Sequence, residues 1–308
     1  MGIYMKRVGL IDVDGHNGFP NIPLMKIASY HKSEGDEVEW YDHIFGGHYD
    51  VCFKSKVFTF SPDYLYPLNA DKVVKGGTGY DIKSVLPPQI EAVKCLDYSI
   101  YPNVDYSIQF YSRGCIRSCQ FCCVRRKEGY IHPVEPMDLN PKGKWIEVLD
   151  NNFFANPEWR DAVKDLKRHN MPVKFHGVDV RIMTEEMAYA LNLLKLKNGV
   201  HIAWDLPQID LTDRLKAMLK YIKPYKITCY VLCGFNSTKE QDLFRLRTLK
   251  ELGILPFVQP YRDFENKRKP TPYEQDLARW ANRAWLFKSC DFLDFSPRKG
   301  FKCSEYFK

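Results

Sequence analysis

The 308-residue chain has no apolar run long enough to cross a bilayer, which excludes a helical membrane span. It has no secretory leader pattern either, because Asp12 and Asp14 interrupt the short apolar run behind Met1 to Arg7. Both absences point to the cytoplasm and away from a membrane. Cysteines stay reduced there and act as ligands, reactive groups or core fillers rather than disulfides. No Cys-x2-Cys accompanies Cys229, Cys233, Cys290 and Cys303, so these read as buried thiols rather than an auxiliary metal set.

Other features are plentiful. A hydrophobic content of 45% supports a sizeable core in one large domain or two ordinary ones. The net charge of +7 is unevenly spread. Residues 1–98 hold 10 Lys/Arg against 13 Asp/Glu (net −3), and residues 99–308 hold 35 against 25 (net +10). A basic half suits an anionic substrate, a nucleotide or a nucleic acid, and equally a solvated lysine-rich surface.

The first 98 residues read as a small Rossmann-like parallel-sheet domain. A strand opens at Val8 and runs into the turn around Asp14 and Gly15. Asn21 and Pro23 start a helix carrying Leu24, Ile27, Ala28 and His31, and Gly35 ends it. Strands over 38–41 and 51–58 follow, the strand–helix–strand logic of a parallel sheet. Residues 81–106, with Pro87, Pro88 and Pro102, form a connector.

From Ser107 the chain repeats. Strands are expected over 107–112, 145–149, 173–176, 200–204, 227–233 and 255–259, most of them starting about 27 residues apart. Between them, Asn156-Pro157, Thr184, Thr238 and Thr271-Pro272 mark helix starts, while Gly199, Pro224 and Gly253 mark stops. The last long helix is expected to run through Trp280 and Ala284. Six βα units make a partial (β/α)6 TIM-type barrel over 99–308, with a helical C-terminal extension. A loop following the first strand lies where a barrel places its chemistry.

That loop is Gly114-Cys115-Ile116-Arg117-Ser118-Cys119-Gln120-Phe121-Cys122. Three cysteines so spaced converge on one inorganic centre when the loop curls. A cubane cluster is commonly held by four thiolates, so three leave one iron open for a substrate or cofactor. The same residues allow a zinc knuckle with Cys123 or His132 as fourth ligand, within a nucleic-acid-binding module.

The spacing Cys-x3-Cys-x2-Cys, with Phe121 before the last cysteine, resembles the signature of radical S-adenosylmethionine (SAM) enzymes. The resemblance covers about residues 100–290. It implies that Cys115, Cys119 and Cys122 ligate a [4Fe–4S] cluster whose open iron takes SAM through its amino and carboxylate groups. It also implies reductive cleavage of SAM to a 5′-deoxyadenosyl radical, hydrogen abstraction from a substrate, and a low-potential electron donor such as flavodoxin or ferredoxin. Phe121 then packs near the adenine. Asp150, Asn151 and Asn152 stand where the family often carries Gly-Gly-Glu, and they offer acceptors to the SAM amine. Arg181 pairs with its carboxylate. Asp205 and Arg262 face the barrel mouth toward substrate, with Cys233 as a candidate hydrogen donor.

The first domain is also similar to cobalamin-binding domains, through Asp14 and His16 in the first loop, Ser55 in the third strand and Gly76-Gly77-Thr78-Gly79. The match is partial, since Gly18 follows His16 by two residues rather than three and Val57 replaces leucine. Full agreement would imply a cobalamin-dependent methyltransferase. Methylthiotransferases pair similar domains but need three cysteines in the first, where this chain has Cys52 and Cys95, and they end in an RNA-binding β-domain beyond the span of this sequence.

Overall fold

The computed structural model describes residues 5–15, 18–264 and 266–308, which divide into two compact units. The first holds the chain up to Phe110 together with Gly114–Tyr130 and Val134–Lys144. The second holds Tyr111–Arg113, Ile131–Pro133 and Trp145–Lys308. Both are α/β, built on parallel strands.

In the first unit the order is β1 (Arg7–Asp12), α1 (Ile22–Ser33), β2 (Glu37–Trp40), β3 (Tyr49–Ser55), β4 (Ala70–Gly76), α2 (Pro88–Glu91), β5 (Ser107–Gln109) and α3 (Val124–Glu128). Four strands pair in the order β2-β1-β3-β4, parallel throughout. The Asn21 side chain caps α1 by accepting the Leu24 N–H at 3.3 Å, and Gly35 leaves the helix with φ +87°. Leu24, Met25, Ile27 and Ala28 are buried with Val8, Leu10 and Val51 of the sheet. The fourth strand, β4, was not expected. It is an edge strand, and its sequence Ala-Asp-Lys-Val-Val-Lys-Gly faces mostly solvent, so it carries little of the apolar signal that reveals strands.

The second unit opens with a two-residue antiparallel pair, β6 (Ser112–Arg113) and β7 (His132–Pro133). It continues β8 (Ile146–Val148), α4 (Trp159–His169), β9 (Val173–Val178), α5 (Glu185–Asn192), β10 (Leu196–Ala203), α6 (Thr212–Leu219), β11 (Ile227–Cys233), α7 (Lys239–Glu251), β12 (Leu255–Pro260), α8 (Pro272–Ala281) and α9 (Ala284–Ser289). From β8 to β12 each strand pairs in parallel with the next. Thr238 and Thr271 both form capping boxes, with Gln241 and Glu274 respectively.

Two expectations need correction. The strand expected over 107–112 breaks at Phe110–Tyr111, because the Tyr111 N–H turns to the Asp150 carboxylate at 2.9 Å. The helix expected to run on to Ala284 stops at Ala281, where Asn282 turns its amide onto edge strand β12, and a separate α9 begins at Ala284. The Asn282 amide accepts from the Val258 N–H at 2.6 Å and donates to the Val258 carbonyl at 3.0 Å. That amide occupies backbone groups that an unpaired edge would expose.

Candidate functional site

The cysteine loop belongs to the first unit and is closed on itself. Gly114 sits at φ +79°, and a Cβ there would come within 2.5 Å of the Tyr130 carbonyl oxygen. The Gly114 N–H donates to Glu128 at 2.9 Å and the Cys115 N–H to the Gly129 carbonyl at 3.3 Å. Arg125 donates to the Cys115 carbonyl at 3.3 Å. The two ends of the loop are thereby clamped, which forces the cysteines between them to curl.

Inside the loop, backbone donors turn toward sulfur. The Arg117 N–H donates to Cys115 Sγ at 3.4 Å, and the Val124 N–H reaches the Cys122 thiol. The Cys122 N–H bonds the Cys119 carbonyl at 3.0 Å. Cys115, Cys119 and Cys122 are all half-buried, while Cys123 is exposed. Burial pushes the Cys122 thiol up, and repulsion from Cys123, Cys119 and Cys115 adds to it. Three half-buried thiols with backbone N–H donors are the kind of donor set that an iron–sulfur cluster takes, and a zinc ion also takes thiols. Among the described residues no three His, Cys, Asp or Glu side chains are gathered so as to hold a metal ion.

The remaining residues expected at the site lie at strand ends of the second unit, apart from Phe121, half-buried in the cysteine loop, and His16, which lies outside the described residues. Asp150 is 1% exposed and accepts from the Tyr111 N–H and the Ser112 hydroxyl, and burial holds its carboxyl up at about 6. Next to it, Asn152 donates to Asp179 at 3.2 Å. Asp179 also accepts from Arg181 through the Arg181 N–H (3.0 Å), Nε (2.6 Å) and Nη2 (3.0 Å). The Arg181 fork, expected to meet a ligand carboxylate, is therefore engaged by a carboxylate of its own chain. Asn151 lies against Gly177: a Cβ on that glycine would run into the Asp150 carbonyl and stand 2.6 Å from the Asn151 carbonyl carbon. Glycine is what lets these strand ends approach.

Burial raises the Asp205 carboxyl, with Arg245 and Arg181 opposing. Arg245 on α7 is fully buried. It donates to the carbonyls of Trp204 (2.7 Å), Asp205 (3.3 Å) and Leu232 (3.0 Å) and to Asp242 at 2.6 Å, tying the ends of β10 and β11 together. Cys233 is sealed in the core, and burial pushes its thiol far up, with Asp242 and Glu274 adding to the effect. A hydrogen donor has to meet its acceptor, and this thiol has no open side. Arg262 is exposed, on the wall of an open cleft of about 510 Å³ that Leu232, Phe257 and Tyr261 also line.

A further set was not anticipated. Along β9, β10 and β11 every second residue is buried (Val173, Phe175; Val200, Ile202; Cys229, Val231, Cys233). The alternate residues occupy the opposite face: Lys174 and His176, His201, Tyr230, with Phe257 following on β12. His176 bonds Glu147 of β8, which also accepts from the Trp145 indole at 2.9 Å and Lys174 at 3.4 Å. Ring centroids continue the row at 6.3 Å (His176–His201), 5.6 Å (His201–Tyr230) and 5.5 Å (Tyr230–Phe257). A parallel sheet usually has two apolar faces, and this one presents a polar, aromatic face instead. The period-two placement of Glu147, His176, His201 and Tyr230 in the sequence was the available signal.

Comparison with known proteins decides nothing further. No family model matches the chain, and no curated protein matches it.

Proposed function

We propose that this chain is a radical SAM enzyme, its first unit a cobalamin-binding-like Rossmann domain and its βα repeat a partial (β/α)6 barrel. The observation that carries the reading is the clamped loop that holds three half-buried thiols, Cys115, Cys119 and Cys122, with backbone N–H donors on two of them. In this reading the three thiolates would hold a [4Fe–4S] cluster, and SAM would take its open iron. Such a centre, when bound, supplies one-electron cleavage of SAM and hydrogen abstraction from a substrate.

The chain's own part is to hold and orient. The clamps at Gly114, Cys115 and Arg125 fix the two ends of the loop that carries the thiols. Asp150, Asn152, Asp179 and Arg181 form a rigid polar block at consecutive strand ends. With Arg181 closed on Asp179, its guanidinium is already met by a carboxylate of the same block. The face bearing Lys174, His176 and His201 suits an anionic, hydrogen-bonding substrate. For cobalamin, Ser55 shares its hydroxyl with Asn21 at 3.0 Å and the carboxylate of Asp14 is taken up by Val57, Phe58 and Ser61, so a corrinoid using either group would have to displace these bonds.

The test is anaerobic reconstitution followed by SAM and a strong reductant. Release of 5′-deoxyadenosine, lost in Cys119→Ala, is the expected result. A reconstituted sample that releases none overturns the reading.

A further inference from the structure

Lys56 follows β3 directly and is 8% exposed, yet no carboxylate or other acceptor receives its ammonium among the described residues. Its stem is packed while the ammonium itself keeps contact with water, as a lysine does when the interior offers it no partner. Its neighbour Lys54, equally buried, shows the paired arrangement: an ion pair with Asp63 at 2.7 Å and a bond to the Tyr64 carbonyl at 2.9 Å. Lys54 and Tyr80 hold the Asp63 carboxyl down to about 2.

Lys56 is held in place by its surroundings. The Lys56 N–H donates to the Gly76 carbonyl at 3.0 Å, and its carbonyl accepts the Gly79 N–H at 2.9 Å. A Cβ on Gly77 would run into that carbonyl, and one on Gly79 would stand 2.7 Å from Lys56 Cγ. The Gly76-Gly77-Thr78-Gly79 turn therefore wraps the lysine as closely as a backbone can. Its ammonium lies 5.6 Å from the Tyr80 ring centre, and those of Lys54 and Lys75 lie at 5.9 Å. Three ammonium groups around one ring face two carboxylates, Asp63 and Asp14. Asp63 is engaged by Lys54 and Tyr80, and Asp14 by Val57, Phe58 and Ser61. Lys56 and Lys75 are left over.

Aromatic surface adjoins this excess charge. Phe58, whose carbonyl oxygen would lie 2.8 Å from a Cβ on Gly79, is 50% exposed. Phe60 is 54% exposed and stacks on Phe58 at 5.2 Å and 20°. The arrangement is built from the last residues of β3 and β4 and the turns that follow them, the end of a parallel sheet that receives ligands.

We propose that the first unit binds a nucleotide here, its phosphate between Lys56 and Lys75 at the glycine-rich turn and its base against Phe58 and Phe60. Lysine receives phosphate as a compact point charge, and exposed aromatic faces stack bases with little regard to their identity. The proposal stands apart from the cysteine loop and survives if that reading fails.

Calorimetric titration of the full chain with AMP, inorganic phosphate and adenosine tests it. AMP should bind, phosphate more weakly, and adenosine weakest. Lys56→Met and Lys75→Met should each lower AMP affinity by roughly tenfold, the loss of one charge-assisted bond. Phe58→Ala should weaken AMP and leave phosphate unchanged. Without ligand, Lys56→Met should melt no lower than the parent, because it removes an unpaired charge and keeps the packed stem. No AMP binding at millimolar concentration, binding indifferent to both lysine substitutions, AMP no tighter than phosphate, or a sharply destabilised Lys56→Met would each overturn the proposal.

Discussion

Asp150 and His201 show how single groups in the second unit are tuned by what surrounds them. Asp150 is protonated more readily in the folded chain, at about 6, than the roughly 3.9 of an exposed aspartate. Its contribution to stability is therefore fully present below pH 4 and is lost as the pH rises through 6, by about 3 kcal/mol in all. Urea unfolding of the parent and Asp150→Asn across this range should differ by a slope of that sign, the variant lacking it. Parallel curves would mean that Asp150 is ionised at no cost. His201 moves the other way: burial, then the charges of His176 and Lys174, lower it. Its ring should titrate below the ordinary 6.5 by NMR, which leaves it neutral at physiological pH as an acceptor and donor on the open face.

Among the elements, what was legible in the sequence is what local chemistry dictates. The caps at Asn21, Thr184, Thr238 and Thr271 and the positive-φ glycines 35 and 253 lie where helices begin and end. Buried strands such as β11 announce themselves through apolar residues. Partners distant in sequence do not. Nothing local indicates that Tyr111 leaves its strand for Asp150, that Asn282 ends α8 by pairing with Val258, or that Asp179 occupies Arg181. The polar face was missed for a related reason: a search for apolar residues passes over Glu147, His176 and His201 although they alternate regularly. Two substitutions test the long-range contacts. Gly177→Ala should separate the ends of β8 and β9 and destabilise by more than the roughly 1 kcal/mol typical of a point substitution, seen as a lower melting temperature. Arg245→Ala should cost about 3–5 kcal/mol, because it leaves Asp242 and three carbonyls buried without their donor. If Arg245→Ala melts like the parent, the tie between β10 and β11 is dispensable.

Across the whole molecule, two parallel α/β units carry distinct chemistry: a thiol-bearing loop and a lysine-rich turn in the first, a polar sheet face in the second. Among the described residues no helix is long and apolar enough to cross a membrane. The functional reading depends on whether Cys115, Cys119 and Cys122 act as one ligand set. Iron and acid-labile sulfide, measured after anaerobic reconstitution of the parent and of the three single cysteine-to-alanine variants, address this most directly. The account predicts about four irons and four sulfides per chain in the parent and a large loss in every variant. Stoichiometric zinc without sulfide, or iron retained when any one of the three cysteines is removed, would contradict it.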